Sequence, residues 1–189
     1  MSDTAREDAA RRDHGTVTEA GAIQFRRVLP GPIGRVWDYL TDPDKRAAWL
    51  AGGPMELRVG GLVRLDFRHA DLSPRPEPVP ERYRSLADGV SQHGRVTACE
   101  PPRLLAYTWG EDGGAESEVT FALTERPDGV LLVLTHRRLP DRAATVSVLG
   151  GWHTHLGILA DRLAGREPAP FWSTHAPLEE EYGSRIGEP

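Results

Sequence analysis

The sequence contains one cysteine, one lysine, no asparagine and no long apolar run among its 189 residues. Cys99 has no second cysteine to pair with, so an internal disulfide is excluded and a reducing compartment is expected. Without asparagine there is no acceptor for N-linked glycans. A membrane-spanning helix needs about 18 consecutive apolar residues, and since no such stretch occurs, membrane insertion is not expected.

Positive charge is also scarce. The net charge is −5, with 23 Lys and Arg against 28 Asp and Glu, and Lys45 is the single lysine. Nucleic acids and anionic membranes call for a basic surface, so neither is an expected partner. The N-terminal residues are charged and lack the apolar segment of a secretory signal, which together with the lone cysteine favours a cytoplasmic location.

Glycine and proline, in contrast, are plentiful, with 20 and 16 residues. Both types mark turns and therefore predict many short elements. Residues 1–20 lack periodicity and are expected to form a flexible N-terminal tail. Residues 21–165 are predicted to form one domain, which contains a long proline-rich loop at 70–90. Residues 166–189 are predicted to be a C-terminal extension with a short helix that begins at Pro177.

Apolar spacing predicts three helices in the domain. A stripe at positions 33, 36, 37 and 40 indicates a first short helix. Asp42 is a suitable N-cap for a second short helix. The clearest element is a long amphipathic helix at 142–164, ended by Gly165. Its apolar stripe consists of Val148, Leu149, Trp152, Leu156, Leu159 and Leu163.

Apolar and polar residues alternate in several short segments, and this pattern predicts β-strands. The predicted strands are 23–28, 55–59, 63–69, 94–99, 104–109, 119–123 and 130–136. Short turns such as Gly60-Gly61 join successive strands, so the sheet is expected to be antiparallel. One face of such a sheet needs cover, which the long helix can supply. A strongly bent sheet around one helix leaves room for an apolar cavity with a few polar groups.

An ordered set of segments resembles a known family. The segments are VWDYLTDP (36–43), ELRVGG (56–61), GRVTACEPPRLLAYTW (94–109), VTFAL (119–123), LTH (134–136) and GWHTHLGILADRL (151–163). The chain resembles the SRPBCC (START/Bet v 1-like) superfamily, and within it the group named after the C-terminal domain of the activator of Hsp90 ATPase. The loop at 70–90 departs from the family pattern, and the extension at 166–189 lies beyond it.

The resemblance implies an α+β helix-grip (Bet v 1/START-like) fold. In this fold a curved antiparallel β-sheet of about six to seven strands wraps around a long C-terminal helix, with two short helices after the first strand. It also implies a hydrophobic cavity for a lipid-like, polyketide-like or aromatic ligand between the sheet and the long helix.

The residues predicted to line this cavity are mostly aromatic, with three histidines and one leucine from apolar faces. They are Trp49, Phe67, His69, Tyr107, Trp109, Phe121, His136, Trp152, His155 and Leu156. Some of the rings must simply be core, and each aromatic is as compatible with packing as with lining a pocket.

The histidines carry two interpretations. His69 and His136 share the parity of their apolar neighbours and are expected to point inward near strand ends. Each either orients a ligand or moves a proton, or is a partly buried histidine bonded to the backbone or to water. His155 on the facing helix is open to the same two interpretations. No inward Asp or Glu can be paired with these residues, so no acid–base pair can be assembled.

Other chemistries find little support in the sequence. Phosphate-binding glycine motifs are absent. His153 and His155 lie about 200° apart around a helix, too far to share a metal. We therefore expect neither a metal nor another cofactor. Cys99 falls on the outward face of its strand and is expected to be an inert thiol.

Three functions remain open. The first is a module that binds a small hydrophobic or aromatic molecule. The second is a cyclase/aromatase-type enzyme that uses a cavity histidine, an activity that the superfamily contains. The third is a protein that interacts with Hsp90, which rests on the name-giving member of the family alone. The aromatics Phe171 and Trp172 either form a homodimer contact or pack onto their own domain.

Overall fold

The computed structural model describes residues 14–110 and 117–186. Its strands are β1 Thr16–Glu19, β2 Ala22–Leu29, β3 Leu62–Phe67, β4 Val90–Glu100, β5 Leu104–Trp109, β6 Ser117–Arg126 and β7 Gly129–Arg137. Its α-helices are α1 Ile33–Thr41, α2 Pro43–Ala47, α3 Arg142–Leu163 and α4 Phe171–Arg185. Two short 3-10 helices, His69–Leu72 and Glu81–Leu86, lie between β3 and β4. No helix within these two ranges is long and apolar enough to span a bilayer.

The strands form one curved antiparallel sheet in the order β1-β2-β7-β6-β5-β4-β3. The long helix α3 packs across it, and the predicted helix-grip fold is confirmed. Its buried face includes Leu149, Trp152, Leu156 and Leu159, which belong to the stripe that the sequence predicted. The spacing of these residues predicted α3 because an amphipathic helix buries one face, and here that face packs on the sheet.

Local capping explains where the helices begin. The Asp42 side chain accepts hydrogen bonds from the backbone N–H groups of Asp44 and Lys45, both at 3.0 Å, as predicted for an N-cap. Asp141 plays the same part at the start of α3, where its side chain accepts from Ala144 N at 2.8 Å. Two orphan N–H groups at the start of α2, and one at the start of α3, are thereby satisfied.

The buried guanidinium of Arg46 links α2 to the segment that follows it. Its nitrogens donate to the carbonyl oxygens of Thr41 at 3.2 Å, Ala51 at 3.0 Å and Gly52 at 3.3 Å, and also to that of Gly53. A buried cation is tolerated when its donors are satisfied, and here they bond four carbonyl groups. This arrangement fixes the chain on either side of Leu50.

The strand predicted at 55–59 does not form. Residues 52–55 make two isolated bridges to β3, Gly52 with Asp66 and Met55 with Val63. Beyond Met55, Glu56 N donates to the Leu62 carbonyl of β3 at 2.9 Å, and Gly60 N donates to the Val96 carbonyl of β4 at 2.8 Å. The predicted strand at 63–69 is also too long, since β3 ends at Phe67 and His69 begins a 3-10 helix.

The N-terminal tail expected at residues 1–20 is only partly described. Residues 1–13 lie outside the described residues. Strand β1 occupies 16–19 and pairs with β2, with Thr16 opposite Gln24, so the expected flexible tail is wrong there. All four residues of β1 are exposed, which leaves no apolar alternation from which to predict a strand. Just before β1, Gly15 N donates to the Tyr182 hydroxyl at 2.8 Å.

The C-terminal helix is longer than predicted. It begins at Phe171, and Pro177 lies inside it rather than at its start. The Glu77 carboxylate accepts hydrogen bonds from the backbone N–H groups of Trp172 and Ser173, and so caps this helix from far away in the sequence. Phe171 and Trp172 are only 4% and 3% exposed. Because they pack onto their own domain, they offer no basis for a homodimer.

Two segments outside the family pattern, 70–90 and the described part of the C-terminal extension, 166–186, pack against each other. Ser73 Oγ donates to the Pro168 carbonyl at 3.1 Å. The Tyr83 ring stacks on Trp172 with centroids 4.8 Å apart, and its hydroxyl bonds the Glu179 carboxylate. We call this unit the loop–helix clasp. It contacts α3, because the Phe171 ring centroid lies 5.0 Å from that of His155.

Candidate functional site

A small pocket opens between α3 and the sheet, with a volume of about 160 Å³. Its walls come from the segment after α2, the end of β5, strand β7 and one face of α3. The lining residues are Leu50, Trp109, His136, Ser147, Val148, Gly151, Trp152 and His155. Positions 147, 148, 151, 152 and 155 recur at helical spacing, so α3 presents all five on the same side.

Four of the ten residues predicted to line a cavity are found at this pocket: Trp109, His136, Trp152 and His155. The other six do not line it. Trp49, Phe67, Tyr107, Phe121 and Leu156 are buried in the core, and His69 is half-buried under the loop–helix clasp. Which of the ten contact a ligand stays a prediction.

Aromatic packing explains why the pocket is small. The rings of Tyr107 and Phe121 lie 5.9 Å apart, and Phe121 meets Trp152 edge to face at 5.6 Å. These large side chains occupy the space that the resemblance assigns to a ligand. The remaining volume lies below the roughly 300 Å³ at which ligand pockets usually begin.

Four residues that line the pocket are not among those predicted to line a cavity: Leu50, Ser147, Val148 and Gly151. Helical spacing back from His155 by four and eight positions reaches Gly151 and Ser147, so a signal for these two existed. Leu50 carried none. Its position follows from the Arg46 hydrogen bonds to Ala51 and Gly52, which are tertiary contacts.

His136 is fully buried and both of its ring nitrogens are engaged. The indole N–H of Trp152 donates to Nδ1 at 3.0 Å, so Nδ1 must carry a lone pair. The proton of the neutral ring is then on Nε2, which lies 2.8 Å from Ser117 Oγ. The Ser117 hydroxyl in turn donates to the Trp109 carbonyl at 3.2 Å. Burial lowers the pKa of His136 to about 3, so the ring is neutral at pH 7.

His155 is held in the opposite tautomer. Its Nδ1 lies 2.7 Å from the Trp49 carbonyl oxygen, which only accepts hydrogen bonds, so Nδ1 carries the proton. In the neutral ring Nε2 is therefore an acceptor, and no described residue donates to it. Burial, with a smaller contribution from nearby His69, lowers the pKa of His155 to about 3.

His69 belongs to an aromatic cluster beside the pocket rather than to the pocket itself. Its ring centroid lies 4.4 Å from Phe171 and 5.7 Å from His155. Burial lowers its pKa to about 4, with a further contribution from His175. Within the described ranges, His69 Nδ1, His175 Nδ1 and the Trp172 indole nitrogen are buried without a hydrogen-bond partner.

The arrangement offers little acid–base or metal chemistry. His136 has no nitrogen left for a substrate, and no carboxylate lines the pocket. His153 bonds the Tyr182 hydroxyl at 2.9 Å, away from His155. The described part of the chain holds no group of three or more His, Cys, Asp or Glu side chains that fits a metal ion. Burial raises the pKa of the Cys99 thiol, which disfavours the reactive thiolate.

The chain is similar in sequence and in fold to known proteins. Residues 30–164 match the family model described as "Activator of Hsp90 ATPase homolog 1-like protein". A solution NMR structure of the protein encoded by gene BPP1335 from Bordetella parapertussis is 49% identical, with a TM-score of 0.78 over 93% of this chain and 91% of that chain. The crystal structure of CalU16 from Micromonospora echinospora is 26% identical, with a TM-score of 0.65 over 93% and 96% of the two chains. No curated protein matches this chain.

Proposed function

The chain belongs to the family of activator of Hsp90 ATPase homolog 1-like proteins, and from that premise we propose that it binds a small aromatic molecule in the pocket between α3 and the sheet. The observation that carries the proposal is the pocket itself. Two indole rings, Leu50 and Val148 supply apolar walls, and the few polar groups converge from α3 and β7. This composition is typical of small-molecule sites.

The size of the pocket narrows the ligand class. An apolar cavity of about 150 Å³ accommodates benzene, and the pocket measures about 160 Å³. A single aromatic ring fits this space, whereas the lipid-like and polyketide-like ligands that the resemblance implies need more room. The proposed ligand is therefore a one-ring aromatic compound.

Binding is favoured over catalysis by the state of the histidines. The cyclase/aromatase alternative needs a side chain that can take a proton from a bound ketone. His136 is committed on both nitrogens, so this alternative rests on Nε2 of His155 alone. No observation on the described residues favours the interaction with Hsp90, which stays an expectation drawn from the family name.

The test uses two glycines of α3 as a matched pair. A Cβ at Gly151 meets no atom within 4 Å, and Gly151 lines the pocket. Gly157 is equally free but lies on an exposed part of the same helix. Gly151→Leu is expected to fill the pocket and abolish binding of fluorobenzene or phenol, measured by quenching of tryptophan fluorescence. Gly157→Leu is expected to bind like the unmodified protein.

The two variants gain similar helix propensity, so a difference between them reports on the pocket. If both variants bind the probes as well as the unmodified protein does, the pocket is not the binding site. If the unmodified protein binds neither probe at millimolar concentration, the proposed function fails.

A further inference from the structure

The polar atoms that line the pocket differ in whether they already have a hydrogen-bond partner within the protein. His136 uses both nitrogens within the protein, and the Trp152 N–H is given to His136. Besides the exposed Ser147 hydroxyl, two polar side-chain atoms of the lining have no hydrogen-bond partner among the described residues: the acceptor Nε2 of His155 and the indole N–H of Trp109.

The pocket lining is also free of formal charge at pH 7. It contains no Asp, Glu, Lys or Arg, and burial keeps both histidines neutral. A lone pair on a neutral nitrogen without a partner attracts an O–H or N–H donor and repels a carboxylate. An anion that entered would lose its hydration and gain no cation in return.

We propose that the pocket selects neutral phenols, whose O–H donates a hydrogen bond to Nε2 of His155. This inference rests on the proposed function, because it concerns the chemistry of the same pocket. A phenol oxygen both donates and accepts, and it therefore matches the two partnerless atoms of the lining. The selectivity depends on the Trp49 carbonyl, because this oxygen holds the His155 proton on Nδ1 and leaves Nε2 unprotonated.

The experiment compares three probes of one ring each at pH 7. Phenol donates and accepts a hydrogen bond, fluorobenzene has a similar shape and no donor, and benzoate is an anion. Phenol is expected to bind about two- to tenfold more tightly than fluorobenzene, the range that one neutral hydrogen bond contributes. Benzoate is expected not to bind. Phenol is also expected to perturb the ¹⁵N signal of His155 Nε2, while fluorobenzene leaves it unchanged.

A variant isolates the contribution of His155. In His155→Asn the side-chain amide can still donate to the Trp49 carbonyl in place of Nδ1, but the acceptor at Nε2 is removed. The variant is expected to bind phenol and fluorobenzene with equal affinity, because only the preference for phenol depends on Nε2 of His155. Should the variant fail to fold, the three-probe comparison and the ¹⁵N shift in the unmodified protein still show whether the pocket selects phenol through His155.

The outcomes separate this inference from the proposed function. Equal binding of phenol and fluorobenzene, both abolished by Gly151→Leu, overturns the phenol selectivity and leaves the aromatic pocket standing. Tight binding of benzoate also overturns it, since a neutral lining does not hold an anion. If the unmodified protein binds none of the three probes, the proposed function fails and takes the inference with it.

Discussion

The indole N–H of Trp152 donates to Nδ1 of His136 across 3.0 Å, between the long helix and strand β7. This bond fixes the His136 proton on Nε2, whereas the Trp49 carbonyl fixes the His155 proton on Nδ1. Two histidines that line one pocket are thus held in opposite tautomers by different parts of the fold. Both assignments follow from which neighbouring atom can only donate or only accept.

The tautomers are directly measurable. In ¹⁵N-detected NMR at pH 7, His136 is expected to show a protonated Nε2 and an unprotonated Nδ1, and His155 the reverse. The same protein unfolded in urea provides the control, because its histidines lose these partners and show one averaged pattern. Finding both residues in the same tautomer would contradict the hydrogen-bond pattern, and a protonated Nε2 on His155 would also remove the acceptor proposed for phenols.

The stability is expected to fall as the solution is made mildly acidic. Burial lowers the folded-state pKa of His136 and of His155 to about 3, from an ordinary value of 6.5. Below pH 6.5 the unfolded chain therefore binds protons that the folded chain does not. The free energy of unfolding then falls with pH, by up to about 1.4 kcal/mol per pH unit for each histidine, and continues to fall toward pH 3.

Urea unfolding between pH 7 and pH 5 measures this slope, in a range where most carboxylates remain ionised. His155→Asn is expected to reduce the slope by the share of one histidine. A free energy of unfolding that stays constant over this range would mean that the folded chain takes up as many protons as the unfolded chain, and would contradict the lowered pKa values.

Removing the indole N–H at position 152 is expected to lower the free energy of unfolding more than removing the one at position 172. Trp152→Phe leaves His136 Nδ1 buried without a donor, and an unsatisfied buried acceptor costs about 1–3 kcal/mol. Trp172→Phe is the matched control, since Trp172 is equally buried and its N–H has no partner in the described ranges. Both variants lose the same ring volume, so equal changes in the free energy of unfolding would argue against the Trp152–His136 bond.

The start of α4 is expected to depend on a distant carboxylate. Glu77→Ala removes the acceptor for the Trp172 and Ser173 N–H groups. A lost N-cap costs about 1 kcal/mol, and hydrogen exchange should become faster over the first turn of α4. Glu81→Ala is the control, because Glu81 is exposed and its ion pair with Arg84 lies at the surface, where such contacts contribute little to stability. Unchanged exchange in Glu77→Ala would show that α4 does not need this cap.

Elements with a one-sided apolar pattern could be predicted from the sequence. The long helix was found because Trp152, Leu156 and Leu159 repeat at helical spacing, and α2 because Asp42 caps a local turn. Strand β1 and the start of α4 could not be found in this way. All residues of β1 are exposed, and the cap of α4 is Glu77, which lies in another part of the chain.

The candidate site was predictable in kind and not in extent. Trp109, His136, Trp152 and His155 were placed near a cavity because they lie on apolar faces of β5, β7 and α3. How much space remains depends on the rotamers of Tyr107 and Phe121, which no periodicity reveals. The tautomers depend on the Trp49 carbonyl and the Trp152 indole, and these contacts exist only in the folded chain.

The hydrogen bond between Gly15 and Tyr182 brings two points near opposite ends of the chain into contact. Residues 15 and 182 are thus neighbours in space, and the Tyr182 hydroxyl that joins them also lies 2.9 Å from Nδ1 of His153 on α3. In a circularly permuted protein, a short linker would join the chain near residues 15 and 182, and the chain would be opened at a surface turn such as Asp128-Gly129. Such a protein would keep the sheet, α3 and the clasp in their present arrangement. The shape of the pocket then depends on how these elements pack and not on the point at which the chain is opened.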